Sequence, residues 1–342
     1  MIYNTLQTIT HKKKSSRFLA YSSGMNTISV GLSGNFDICE LFSHFLPIGK
    51  ESFYPQKFIF VTDSEKMDEK QTKKEFINVE NILKTKAPDL YKKLPTCVVR
   101  YFTHILHQDE INSDLEKISD LVGVPKFHKH LAINNIEIDY HNKENVPENG
   151  RFIFVANHPF GGPDGIMIVS AVGKMFPKTK LMVNDLLMNL PDIEDVFIPI
   201  NRFGRNKRDY AEIFESSLQS DYQIIIFPAG LVSRKIKGKI VDLEWKKSFI
   251  SYAKRYKRDI IPVFISGQNS NFFYSLANWR KRLGIKANIE QLYLVDELYK
   301  HKNESVSMYF GKPIPYTSLT NEKTDAMWAE EIKQLTYSLP KE

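Results

Sequence analysis

At 342 residues, 42% of them hydrophobic, the chain is long enough for one large α/β domain with an appendage, or for two domains. Its net charge of +7 favours an acidic partner: nucleic acid, an anionic membrane face or a phosphorylated substrate. Only two cysteines, Cys39 and Cys97, are present, without partners at metal-ligand spacing, which excludes a disulfide scaffold or a cysteine-built metal site and makes a reducing cytoplasm the natural compartment.

In chain order, residues 1–70 carry no assignable chemistry, although 58–61 reads as a short strand. The polar run 63–74 reads as a linker, so a boundary is placed near residue 70, dividing a segment 1–70 from a domain 71–342. A helical pattern covers 76–107, broken at Pro88 and Pro95. Its part 94–107 is amphipathic, suited either to a bilayer surface or, as favoured for a single amphipathic helix, to packing on the core. Ser113, Asp114, Leu115 and Glu116 form a capping box that predicts a helix over 113–121. His128, His130 and His141 lack ligand-like spacing and read as surface residues.

Strands are predicted at 133–140, 152–156, 181–184, 196–200, 223–227, 260–266 and 306–310. Helices are predicted at 166–176, 207–219 and 245–256, with a helical turn at 185–190. This alternation indicates an α/β fold: a layered, mostly parallel central sheet flanked by helices. No apolar run approaches about 18 residues, so no transmembrane helix is expected. The basic start at His11 to Lys14 lacks the apolar stretch of a secretory signal, and membrane contact is expected to be peripheral.

The chain is organised around 152–165, a buried strand, a tight loop and a helix start. His158 leaves the strand's carboxyl end and Asp164 waits where the helix begins, with Pro159, Gly161, Gly162 and Pro163 folding the loop between them. Alone, such an aspartate is an N-cap and such a histidine a core residue. Together, at a strand end where open α/β sheets place ligands, they form half of an acyl-transfer or hydrolysis site. The aspartate fixes the imidazole tautomer, and the other ring nitrogen takes a proton from an alcohol or amine. After the strand 196–200 come Arg202, Arg205, Lys207 and Arg208, of which Arg202 is placed to clamp a phosphate or carboxylate. Phe227, Pro228, Ala229 and Gly230 end the next strand, and Ser233, Arg234, Lys235, Lys237 and Lys239 follow in a glycine-containing loop. The result is a basic rim around the histidine, fit for an acidic headgroup, a thioester donor's phosphate or an anionic leaflet.

There is no GxSxG elbow, P-loop or GxGxxG, and no metal or tightly bound cofactor is implied. Three readings remain open from the residues: acyl transfer to a hydroxyl, lipid hydrolysis by the same pair, and a non-catalytic module that binds anionic lipid through its rim. Nucleic acid is disfavoured, since no aromatic platform accompanies the cations.

Four ordered blocks carry a resemblance. Asn157, His158 and Pro159 with Asp164 and Gly165, then residues 197–202, then 227–230, then 261–263, are similar to the blocks of glycerolipid, lysophosphatidate-type acyltransferases, including the haemolysin-like and ornithine- or glycine-lipid O-acyltransferase branch. The resemblance covers roughly residues 75–320. It implies His158 as general base, Asp164 as its orienting partner, Arg202 on the acceptor headgroup, residues 227–230 shaping the acceptor pocket and Pro262 framing the thioester site. The residues set against substrate are then Asn157, Gly161, Gly162, Arg202, Arg205, Phe227, Pro228, Gly230, Ser233, Arg234 and Lys235. The implied partners are a lyso-lipid acceptor, an acyl carrier protein or coenzyme A thioester as co-substrate, and the inner-membrane surface met from the cytoplasm. Two departures stand out. His158 and Asp164 have five residues between them where the family usually has four, and Ala229 stands where the family usually has a glutamate after Phe-Pro. The second points away from a glycerol-phosphate acceptor and towards another headgroup, such as that of a lyso-amino-acid lipid.

Overall fold

The apolar run 152–156 forms the middle strand of a seven-stranded sheet. The structure, a computed structural model, describes residues 76–86, 88–183, 193–200, 207–285 and 288–341. The expected strand at 58–61, the linker, the boundary at 70 and the turn at 185–190 lie outside these residues, as do Arg202 and Arg205. The strands are β1 (Glu137–His141), β2 (Phe152–Ala156), β3 (Thr179–Val183), β4 (Phe197–Pro199), β5 (Gln223–Ile226), β6 (Arg234–Ile236), β7 (Lys239–Val241), β8 (Asp259–Ile265) and β9 (Ser305–Phe310). The helices are α1 (Val79–Lys86), α2 (Pro88–Tyr91), α3 (Thr96–Ile105), α4 (Gln108–Lys117), α5 (Val124–Ile133), α6 (Gly162–Met175), α7 (Lys207–Gln219), α8 (Ser248–Tyr256), α9 (Asn271–Arg282), α10 (Leu294–Lys300) and α11 (Asp325–Ser338).

The sheet order is β1-β9-β8-β2-β5-β3-β4, and every neighbouring pair is parallel except β8 with β9. The expected mostly parallel, layered architecture is therefore present. Alternation along β2 builds both layers. Phe152, Phe154 and Ala156 join one core with Phe127 and Leu131 of α5 and Met167, Ile168, Ala171 and Val172 of α6. Ile153 and Val155 join the other with Phe249, Ile250 and Ala253 of α8 and Ala329 and Ile332 of α11. Covered on both faces, β2 has no polar side chain, which is why it reads as a continuous apolar run.

The chain divides into two compact units between Asn112 and Ser113. In the first, Asn112 Oδ1 accepts from the backbone N–H of Phe76 and Ile77 at 3.1 and 2.8 Å, and Gln108 Oε1 accepts from Val79 at 2.8 Å. Val98, Val99, Phe102 and Ile105 of α3 are buried, so this amphipathic face is packed rather than offered to a bilayer. Among the described residues, no helix is long and apolar enough to cross a membrane.

Several expectations are corrected. The helix expected from Ser113 begins at Gln108, where Asp109 and Glu110 oppose the positive end of the dipole, and Ser113 lies inside it. The polar region holding His128 and His130 is helix α5, entered through Gly123 at φ 67° with Pro125 in its first turn, and β1 is displaced to Glu137. These two histidines are half-buried, His128 Nδ1 meeting Ser170 Oγ at 2.8 Å, while His141 stacks on Tyr309 with centroids 4.3 Å apart. The loop expected after Gly230 contains the ribbon β6–β7, and α9, α10 and α11 were not anticipated.

Candidate active site

His158 stands two residues beyond the end of β2, between the ends of β5 and β8. The loop reaches Asp164 through Gly161, whose φ of 94° suits glycine and whose position leaves a Cβ only 3.0 Å from Val232 and Leu294 side-chain atoms. Asp164 sits in the first turn of α6, so its carboxylate folds back onto the loop. Its Oδ2 accepts from His158 Nδ1–H at 2.8 Å and from the backbone N–H of Phe160 and Gly161 at 2.9 and 2.8 Å. Five intervening residues thus bring the pair into contact. Asp164 is 0% exposed, and burial pushes its carboxyl up from the ordinary range against the pull of His158 and the two amides.

The imidazole lies flat against Phe227, with ring centroids 4.2 Å apart and planes 21° from parallel. Phe227 reaches that place because Ile226 of β5 is level with Val155 of β2. With one nitrogen on Asp164 and one face covered, the ring has a single orientation. Among the described residues Nε2 makes no hydrogen bond, and the side chain is 17% exposed. The arrangement presents one basic nitrogen to an incoming proton donor.

A second carboxylate supports the same residue from behind. Asp242 is buried, and its Oδ1 accepts from the His158 backbone N–H at 3.2 Å and from Ser233 Oγ at 2.5 Å, while Oδ2 accepts from Trp245 Nε1 at 2.8 Å. Ser233 N–H in turn donates to His158 O at 2.8 Å, and Asp242 N–H to the Tyr337 hydroxyl at 2.8 Å. Burial and Asp242 together push the Tyr337 hydroxyl up, keeping it protonated.

Asn157, Ser233 and Arg234, expected on the substrate side, are turned into the fold. Asn157 accepts from Ile265 N–H at 2.7 Å and donates to Ile265 O at 2.9 Å, continuing the β2–β8 pairing with a side chain. Ser233 serves Asp242, and Arg234 donates to Val232 O at 2.8 Å and to Glu290 Oε1 at 2.9 Å. Gly162 opens α6 with free space where a Cβ would stand, and Gly230, at φ 64°, closes the turn in which its N–H donates to Phe227 O at 3.0 Å. Pro228 O accepts from Lys246 N–H at 3.0 Å, and Lys235 is exposed. Pro262 lies inside β8, level with Val155.

Asp242 and Gly267 escaped the sequence reading. Gly267 has φ 118°, and a Cβ there would lie 2.1 Å from the Phe160 ring, so glycine is what lets Phe160 close the His158 loop. Among the described residues, no group of three or more His, Cys, Asp or Glu is placed to hold a metal ion.

A family model described as acyltransferase matches residues 81–341. The chain belongs to the acyltransferase family. Lyso-glycine lipid O-acyltransferases of Bacteroides thetaiotaomicron and Phocaeicola vulgatus are 45% and 44% identical over 264 residues, 77% of this chain and 97% and 95% of theirs. Among solved structures, the crystal structure of the 1-acyl-sn-glycerophosphate (LPA) acyltransferase PlsC from Thermotoga maritima is similar with a TM-score of 0.39 and 18% identity, over 70% of this chain and 91% of that one. The resemblance carried by the four blocks is therefore borne out at the level of the acyltransferase family. The described residues of all four blocks fall at or within strands of its sheet, the first three around the carboxyl ends of β2, β4 and β5.

Proposed function

We propose that this acyltransferase moves an acyl chain from a thioester to the hydroxyl of a lyso-lipid, with His158 as general base. The observation that carries the chemistry is the His158–Asp164 pair: Nδ1 is committed to a buried carboxylate and Nε2 is open. Nε2 takes the proton of the acceptor hydroxyl as its oxygen attacks the thioester carbonyl. When the tetrahedral intermediate collapses, the C–S bond breaks and the imidazolium returns that proton to the leaving thiolate, so no net proton is consumed. General base catalysis of this kind contributes about 10²- to 10⁴-fold.

The acceptor is read as a lyso-amino-acid lipid of the glycine type. The names of the two relatives support it, and so does Ala229 in place of the usual glutamate of this family. Arg202 and Arg205 are assigned to the headgroup and Lys235 to the rim. The donor is an acyl carrier protein or coenzyme A thioester, and the catalytic part is taken as residues 71–342. The enzyme acts from the cytoplasm as a peripheral protein of the inner membrane, in keeping with its +7 charge and its water-insoluble acceptor.

The test is to incubate full-length protein and its His158→Ala variant with labelled acyl carrier protein or coenzyme A thioester and a panel of lyso-lipids, and to analyse products by mass. A diacylated product, lost in a folded variant, is expected. Labelled free fatty acid without an acceptor would establish a hydrolase instead, and vesicle binding with no product from any pairing would establish a lipid-binding module.

A further inference from the structure

The ribbon β6–β7 is fastened to α9 at two places. On one side, Glu290, fully buried, takes Arg234 Nη2 at 2.9 Å and Arg280 Nε at 2.8 Å, and the Arg234 guanidinium lies 5.9 Å from the centroid of Phe273. On the other, Lys235 Nζ donates to Asn271 Oδ1 at 3.0 Å. Asn271 begins α9 and Arg280 lies in its last turn, so the ribbon is held along the helix. Three buried charges, two positive and one negative, join the elements into one unit.

What this unit turns to solvent is unusual. Lys235, Ile236, Lys237, Gly238 and Lys239 are exposed on the ribbon, and Trp279, Lys281, Arg282 and Leu283 at the end of α9. Trp279 and Leu283 are each 53% exposed and Ile236 is 43% exposed, among the more open large apolar side chains of the described residues. Positions 279, 282 and 283 share one helix face. Ile236 shares a ribbon face with Arg234, whose guanidinium reaches Glu290 beside Arg280, so it is carried on the side of the ribbon where α9 ends. Lys237 and Gly238, both at positive φ, make the two-residue turn that puts Lys237 at the tip. Residues 234–241 and 271–285 contain no Asp or Glu, and none of Lys235, Lys237, Lys239, Lys281 and Arg282 makes an ion pair among the described residues.

We propose that the tip of this ribbon and the last turn of α9 form a docking surface for an anionic lipid bilayer. The chemistry selects that partner. A tryptophan with aliphatic neighbours suits the headgroup boundary, and each cation near an anionic leaflet adds favourable attraction. A nucleic acid would use the cations but leave Ile236 and Leu283 in water. The surface also lies beside the proposed catalytic residue. Ser233, immediately before β6, donates its N–H to His158 O, so the tip is about 13 Å of extended chain from that contact. Docking there holds the His158 loop close to the interface in which a lyso-lipid resides, and the inference rests in this respect on the reading of the acceptor given above.

The test is flotation of the full chain with vesicles of phosphatidylglycerol and phosphatidylcholine, against vesicles of phosphatidylcholine alone. Two variants are compared, Lys237→Gln/Lys281→Gln/Arg282→Gln and Trp279→Ser/Leu283→Ser. All five positions are exposed, and thermal unfolding checks that both variants fold. Wild type is expected to float with anionic vesicles and to be released by salt. The charge variant should bind about tenfold or more weaker, and the apolar variant should lose the blue shift of tryptophan emission on binding. Wild-type binding in both variants, or no wild-type binding at all, overturns the proposal. A dimer of wild type broken by the apolar variant, with vesicle binding unchanged, would overturn it in favour of a contact between copies. Transfer to a short-chain, monomerically dispersed lyso-lipid is measured in parallel, and the apolar variant should retain it. If wild type binds vesicles but transfers nothing, the acceptor reading fails and the docking surface stands.

Discussion

At the amino-terminal end of the central strands, the fully buried Arg258 gathers carbonyl groups: Leu218 at 2.9 Å, Tyr222 at 2.8 Å and Ser220, all around the end of α7 and the approach to β5. Burial, aided by Arg151, lowers its guanidinium to about 10, so it stays charged at neutral pH. At the carboxyl-terminal end, Asp164 and Asp242 gather N–H and O–H groups, and among them is the imidazole of His158. Both ends bury charge and satisfy it with hydrogen bonds. Arg258 spends its donors within the fold, whereas the carboxylates hold a side chain that keeps one nitrogen open. The first arrangement serves stability and the second, on the proposed function, prepares a reactive group, at the sheet end where parallel strands place their ligands.

Substitutions at the two ends should separate these uses. At the open end, His158→Ala is expected to lower kcat about 10³-fold or more while leaving thermal unfolding nearly unchanged. Asp164→Asn should follow it, because one amide oxygen cannot replace an ionised acceptor of three donors; acyl transfer at the wild-type rate in either folded variant would break the comparison. At the closed end, Arg258→Met should cost about 3 kcal/mol in denaturant unfolding, since it strands buried carbonyls. The specific activity of the protein that remains folded should not change. Asp242→Asn sharpens the contrast from between, because the carboxylate touches His158 only through its backbone. Its kcat should fall about tenfold to a hundredfold, or roughly 1.4–2.7 kcal/mol, with little change in KM; an unaltered kcat would reduce Asp242 to packing.

The smallest effect is expected at the partly exposed contact between α11 and α8. Asp325 is held below the usual carboxylate range first by Lys254 Nζ at 2.7 Å and also by Ser251. Its folded pKa lies below its unfolded value of about 3.9, so the contribution is present above that pH and is lost as pH falls through the folded value. Asp325→Asn should therefore cost no more than about 1 kcal/mol at pH 7, and the difference from wild type in urea midpoints should shrink on acidification.

Much of this architecture is legible because β2, β5 and β8 are buried strands whose apolar runs announce themselves, while β9 shows the alternation of a half-buried strand. The His158–Asp164 pair was legible because its contact is local and the glycines and prolines between mark a loop. Asp242 was not, because its bond to His158 spans 84 positions and nothing near it in the chain signals a partner. Gly267 was hidden for the same reason: its need for glycine comes from Phe160, more than a hundred residues earlier. The ribbon β6–β7 reads as a loop in the sequence because strands of three residues are too short for alternation to register. Ser113 misled because a capping sequence also fits inside a helix, and at Gln108 the acidic first turn prevailed. Nothing in the sequence separates Arg234 from the rim, because a basic run does not reveal which of its members finds a buried glutamate.

The stacking of Phe227 on His158 has a consequence for the charged form of the ring. An aromatic face carries the negative lobe of its quadrupole, so a positive charge 4.2 Å above it is attracted. On the proposed pathway that charge exists only while the proton is in transit. Phe227 would then act on the ring most while the proton is in transit, so that a hydrocarbon side chain is placed to answer one moment of the reaction.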